Sequence, residues 1–133
     1  MMLDQQLLKQ FPKDWIEAWN GHDPDRVLSY FSDDFDVWAP ALNEVTGESR
    51  GSLHGKAALA DYWQRAQLAV PDAHFVLVST LVTPGNVTLY YKGVGGRLAA
   101  ESFYFDSNCK VCKVLSMLGE FLSICRRRDK RLN

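Results

Sequence analysis

Glu101 is the residue whose neighbours in the sequence point most directly to chemistry. The stretch Leu98-Ala99-Ala100-Glu101-Ser102-Phe103-Tyr104-Phe105-Asp106 alternates with the two-residue period of a strand. Ala99, Glu101, Phe103 and Phe105 therefore share one face, and Ser102, Tyr104 and Asp106 share the other. The first face is apolar apart from Glu101. A carboxylate among buried rings must be hydrogen-bonded, protonated or open to a water-filled pocket, because an unpaired charge in a dry interior is strongly unfavourable. Two readings stand. In one, apolar walls raise the pKa and Glu101 serves as a hydrogen-bond donor or general acid. In the other it is a structural acid satisfied by Trp15, a tyrosine hydroxyl or the backbone.

Other groups capable of chemistry are weaker candidates. His54, in Leu53-His54-Gly55, can reach the mouth of a pocket or cap the helix that follows. His22 lies in a loop and His74 at the start of a strand, so the histidines are too scattered to hold a metal, and no metal or cofactor is expected. Cys109-Lys110-Val111-Cys112 has redox spacing but runs from a hairpin turn into a strand, without the helix N-terminus that activates such a thiol. Gly93-Val94-Gly95-Gly96 joins two strands and reads as a turn, not a phosphate loop. Asp33-Asp34 follows a helix, where turn chemistry is the expectation.

Placing Glu101 at the floor of a pocket requires a sheet and helices to cover it. Leu7, Leu8, Phe11, Trp15, Ala18 and Trp19 recur at helical steps, predicting a first helix that ends at Asn20-Gly21, with Pro12 marking either a break or the true first turn. Asp23-Pro24 predicts the start of a short second helix with Val27, Leu28 and Phe31 facing inward. Phe35, Val37 and Ala39 alternate as a strand closed by Pro40, the polar segment from Asn43 to Ser52 reads as a loop, and Lys56 to Ala69 as a third helix. Strands are then expected at His74 to Val82, Asn86 to Gly93, Arg97 to Asp106 and Lys110 to Leu118, joined by hairpin-length turns. The expectation is an α+β fold: three N-terminal helices packed on a strongly curved, mainly antiparallel sheet, forming a cone with a pocket at its mouth.

The bulk properties agree with one small-molecule-binding domain. The chain has 133 residues, 47% of them hydrophobic, enough for one core without disulfides. Its net charge is −1. The run Arg126-Arg127-Arg128-Asp129-Lys130-Arg131 carries five cations and one anion, which leaves −5 on the remainder. An acidic body argues against nucleic acid as a partner. The first ten residues lack the features of a signal peptide and no apolar run is long enough to span a bilayer, so no membrane partner and a cytoplasmic location are expected. Three cysteines suit a reducing compartment. Residues 1–133 read as one domain, with 119–133 a C-terminal extension and basic tail.

Three segments carry a family resemblance. Trp15-Ile-Glu-Ala-Trp19-Asn-Gly-His-Asp23-Pro-Asp-Arg-Val27-Leu-Ser-Tyr-Phe31-Ser-Asp33-Asp34, then Leu53-His54-Gly55-Lys-Ala-Ala-Leu59-Ala-Asp-Tyr62-Trp63, then Glu101-Ser-Phe-Tyr-Phe-Asp106, resemble the SnoaL-like branch of the NTF2-like superfamily from about Asp14 to Leu118. The resemblance implies the α+β cone and no single activity, since members include isomerases, cyclases, dehydratases and association modules. Set beside ketosteroid isomerase, a member of that superfamily, Trp15 falls at the oxyanion-hole tyrosine and Ala39 at the general-base aspartate. Phe31 and Trp63 replace two further tyrosines, and Glu101 keeps the position of the second oxyanion donor. Without a base at position 39, steroid isomerisation by that mechanism is rejected.

The resemblance places the pocket among Trp15, Trp19, Phe31, Val37, Ala39, Tyr62, Trp63 and Phe103, with His54 at its mouth and Glu101 as its acid. The expected partner is a small apolar ligand with one polar group, with acid-assisted isomerisation, cyclisation or dehydration as the possible reactions. The alternative is a non-catalytic association or accessory module. Under either reading a homodimer is expected, formed through the sheet face that carries Ser102, Tyr104 and Tyr90.

Overall fold

In the computed structural model, which describes residues 4–39 and 51–119, helix α1 begins where Asp4 accepts a hydrogen bond from the Gln6 backbone N–H at 2.7 Å. It runs over Gln5–Asn20 and buries Phe11, Pro12, Trp15 and Ala18. Pro12 neither breaks the helix nor starts it. A proline inside a helix costs about 3 kcal/mol, and here the cap at Asp4 and the burial of the flanking aromatic residues offset that cost. At the other end, Asn20 donates to the Phe75 carbonyl at 2.9 Å and accepts from the Phe75 N–H at 2.7 Å. This pair of hydrogen bonds clamps the end of α1 to a segment 55 residues away.

Helix α2 is one turn, Asp25–Leu28, with Val27 buried. Phe31 does not belong to it. Strand β1 already begins there and runs over Phe31–Trp38, because Phe31 pairs with Val111 and the Val111 N–H donates to the Tyr30 carbonyl at 2.8 Å. The register shifts between Phe31 and Asp36. A bulge re-aims the residues it contains, and Asp33 and Asp34 accordingly stand exposed in the strand and not in a turn after a helix.

Strand β2, Ser52–His54, pairs antiparallel with β1, so Ser52 belongs to a strand and not to the end of a loop. Helix α3, Lys56–Ala69, follows from Gly55, whose φ of 87° turns the chain into the helix in a conformation that favours glycine. The meander comprises β3 (Val76–Thr83), β4 (Asn86–Lys92), β5 (Leu98–Phe105) and β6 (Val111–Leu118), and the sheet order is β2-β1-β6-β5-β4-β3. β1 joins β6 in parallel, so the early strand extends the edge of the meander. The whole is an α+β fold with helices on a curved six-stranded sheet. The expected extension at 119–133 lies, beyond Gly119, outside the described residues.

The centre of the core is aromatic. Phe103 meets Phe11 and Trp15 edge-on, each at 4.8 Å between ring centroids, and Trp15 meets Trp63 at 5.2 Å. These rings fill the interior of the cone directly under β5.

Candidate functional site

Beside that aromatic plug the structure leaves a cavity of ≈ 190 Å³. It lies between the C-terminal part of α3, the end of α1 and the inner face of β4, β5 and β6, with Trp19, Tyr62, Gln67, Phe75, Arg97 and Glu101 among its lining residues. The rings of Trp19, Phe75 and Tyr91 succeed one another along one wall, at 5.3 and 5.1 Å between centroids.

Glu101 is placed by strand pairing. It lies opposite Leu89 of β4 and Ser116 of β6, and it points inward with Ala99 and Phe103. Tyr91 donates its hydroxyl proton to Glu101 Oε1 at 2.9 Å, and Ser116 Oγ–H donates to the same oxygen at 3.1 Å. The residue keeps some exposure through the cavity, while its carboxyl group is enclosed by protein. Burial pushes its pKa up to about 7; the hydrogen bonds from Tyr91 and Ser116 pull it down but do not cancel the burial. The Tyr91 hydroxyl is pushed well above 10, first by burial and then by the neighbouring carboxylate, so it remains a protonated donor. The arrangement is a carboxyl that can give or take a proton near neutral pH, set in an apolar chamber.

Of the residues expected around the pocket, Trp19, Tyr62 and Glu101 line it. Trp15, Phe31, Val37, Ala39, Trp63 and Phe103 are instead buried in the hydrophobic core, each at most 7% exposed. The physical reason is volume: four large rings, those of Phe11, Trp15, Trp63 and Phe103, pack edge to face beneath the middle of β5, and Phe31 and Phe35 pack on each other at 4.7 Å along β1. Trp15 is not the partner of Glu101. Tyr91 and Ser116 take that role: the expected tyrosine hydroxyl is that of Tyr91, and the serine is an addition. The alternation Val87-Leu89-Tyr91 in β4 could have pointed Tyr91 inward.

His54 is not at the cavity mouth and does not cap α3. It sits on β2 with Nδ1 2.7 Å from Asp36 Oδ1 and Nε2 3.0 Å from Asp34 Oδ1, and Lys56 reaches Asp33 at 3.5 Å. The Asp36 hydrogen bond, helped by both carboxylate charges, raises the His54 pKa above 6.5. This pair therefore favours the fold fully below pH 6.5, and the contribution fades as pH rises through the raised value. Imidazole NMR titration should place the midpoint above 6.5, and Asp36→Asn should move it back down. An unshifted midpoint in the variant would show that the contact is not formed in solution.

The CxxC cysteines serve the β5–β6 turn and the following strand. Cys109 has φ 59° in the turn and Cys112 directs its thiol to the Tyr104 carbonyl at 3.4 Å, with no disulfide between them. Among the described residues no cluster of histidine, cysteine or carboxylate side chains could hold a metal.

Comparison with known proteins adds a family to this geometry. Residues 13–131 match the SnoaL-like domain. The crystal structure of a SnoaL-like protein of unknown function from Burkholderia thailandensis is 37% identical over 90% of this chain and 99% of that one, with a TM-score of 0.81. IdmH from Streptomyces antibioticus, provisionally described as a polyketide cyclase, is 13% identical with a TM-score of 0.68, covering 86% of this chain and 93% of that one. TerC, co-crystallised with polyporic acid, is 10% identical with a TM-score of 0.70, covering 86% and 93% respectively. At 13% and 10% the likeness is one of fold. No curated protein matches the sequence significantly.

Proposed function

The chain belongs to the SnoaL-like family, and from that membership we propose that it binds a small apolar molecule in the cavity and acts on it by proton transfer through Glu101. The observation that carries this reading is an enclosed carboxyl group, with a pKa of about 7, on the wall of an apolar chamber. A group half-protonated at neutral pH can donate to a carbonyl or a departing hydroxyl and recover a proton from carbon. That sequence serves isomerisation, cyclisation and dehydration alike. Tyr91 and Ser116 hold Oε1, so the carboxyl group is oriented while the rest of it serves the ligand. The description of IdmH as a cyclase and the presence of polyporic acid with TerC are in keeping with cyclic, oxygenated ligands for this fold.

Exchange of the α-protons of 1-tetralone in D2O, followed by NMR, tests the reading. Wild-type protein should accelerate exchange above the buffer rate, and Glu101→Gln should lower the acceleration about 100-fold or more, the usual contribution of a positioned acid–base group. Equal rates for the two proteins, or no acceleration by wild type, would overturn it.

The outer face of the sheet supports an association role alongside the pocket. Trp38, Leu81, Leu98, Tyr104 and Met117 are 37–60% exposed there, and apolar area of this kind commonly marks an interface. We propose a homodimer through this face. Light scattering at micromolar concentration should give about twice the 15.1 kDa chain mass, and a monomer would refute it. An odd cysteine count suits a reducing compartment, so the same reading places the protein in the cytoplasm.

A further inference from the structure

Two nitrogen donors at the cavity stand out once Glu101 has been assigned its partners. Trp19 Nε1, from the last turn of α1, and Gln67 Nε2, from the last turn of α3, are both buried and have no hydrogen-bond partner among the described residues. Both residues line the cavity that holds Glu101. An unmet buried N–H is destabilising by about 1–3 kcal/mol, so buried polar groups are nearly always satisfied by protein, water or ligand. The indole N–H can only donate. A partner for Trp19 must therefore supply an acceptor, and the Gln67 Nε2 amide group likewise calls for an acceptor.

The volume limits what can bring that acceptor. A cavity of about 150 Å³ is known to take up benzene, whereas drug-sized ligands need roughly 300 Å³ or more. At ≈ 190 Å³ the cavity suits one ring or two fused rings. Trp19, Phe75, Tyr91, Ala66 and Leu118 give it an apolar, largely aromatic wall that favours a flat hydrocarbon skeleton, while Arg97, Gln67, Ser116 and Glu101 supply polar groups.

We infer that the cavity is a site for a one- or two-ring carbonyl compound, with the Trp19 indole N–H and the Gln67 amide as its oxygen-recognising donors. This rests on the ligand-binding part of the reading above and adds a substrate class and two specificity residues to it. The donors come from the two helices and the acid from the sheet, so the ligand bridges the layers. A hydrocarbon of the same shape fills the chamber but leaves both donors unmet. Discrimination therefore comes from Trp19 and Gln67, and binding of the skeleton from the aromatic wall.

The matched probes 1-tetralone and tetralin differ by the carbonyl oxygen. Calorimetric titration of the full chain should show 1-tetralone binding about tenfold more tightly, the value of one or two neutral hydrogen bonds gained at buried donors. In the double variant Trp19→Phe/Gln67→Met both probes lose the wall contact of the indole alike, so the ratio of ketone to hydrocarbon affinity is the readout, and it should fall from about tenfold to about one. If the double variant does not fold, the single variants carry the test: the ratio of ketone to hydrocarbon affinity falls in at least one of them. Equal affinity of wild type for the two probes, or an unchanged preference in the variants, overturns this inference alone. Failure of both probes to bind overturns it together with the ligand-binding reading. Selective ketone binding without proton exchange would leave the inference standing and remove the catalytic role of Glu101.

Discussion

Glu101→Gln makes the protein more stable at pH 8.5 and leaves it nearly unchanged at pH 4.5. In the unfolded chain this carboxyl titrates near 4.5, and in the fold burial lifts it to about 7. Below pH 4.5 both states are protonated and the group is neutral to stability. As pH rises from 4.5 to 7 the unfolded state loses its proton first, so the folded state is progressively penalised, and above 7 the penalty is complete. A difference of that size corresponds to about 3 kcal/mol. Glutamine matches the shape, carries no charge and keeps an oxygen to accept from Tyr91 and Ser116. Urea denaturation at the two pH values should therefore show a gain approaching about 3 kcal/mol at the higher pH, or roughly 10 °C in Tm for a domain of this size. If the variant were instead destabilised at both pH values, Glu101 would be a structural acid. A stabilised variant that has lost proton exchange would mark a residue whose charge is retained at the expense of the fold, as acid–base groups commonly are.

Phe103→Ala has the opposite effect and a different cause. Phe103 has no exposed surface and touches Phe11 and Trp15 edge-on, each at 4.8 Å, so it ties β5 to α1. Truncating a buried phenylalanine removes its transfer energy and leaves a void that the surrounding rings fill only in part, at about 3–5 kcal/mol. Against a usual domain stability of about 5–15 kcal/mol, that is a large share. The neighbouring Tyr104 lies on the other face and is 37% exposed, so Tyr104→Ala should cost under about 1 kcal/mol. Chemical denaturation of the two variants at neutral pH measures the contrast. Similar losses from both would mean that the aromatic plug is not packed as the structure has it.

These two residues, two positions apart on one strand, show where sequence reasoning holds and where it stops. Alternation puts both on the inner face, and the structure does the same. Yet one is set in solid core and the other on a cavity wall. Periodicity reports which way a side chain points, not whether the space it points into is filled. For that reason Trp15, Phe31, Val37, Ala39, Trp63 and Phe103, expected around the pocket, turn out to fill the core beside it. The lodging of Phe31 at the start of β1 was likewise decided by pairing with Val111 across the chain, against a local helical pattern.

The partners of Glu101 depend on register. Ser116 stands opposite it through the β5–β6 turn, where Asp106 Oδ1 accepts from the Asn108 and Lys110 N–H groups at 2.9 and 3.0 Å, together with the register shift between Tyr104 and Phe105. Moving that turn by one residue would turn Ser116 away, since neighbouring strand residues face opposite sides. Tyr91 arrives from β4 two positions beyond the residue directly facing Glu101, a diagonal reach that a tyrosine spans and a shorter side chain does not. Gln67 and Trp19 meet the same cavity because α1 and α3 dock with their final turns beside it. The sequence by itself determined the elements, the inward faces and the acid, because these follow from local spacing and from the cost of burying a charge. Only the tertiary structure decided the cavity, the hydroxyls that hold Glu101 and the two donor residues on the same lining, because each depends on how separate layers pack, and no local pattern records that.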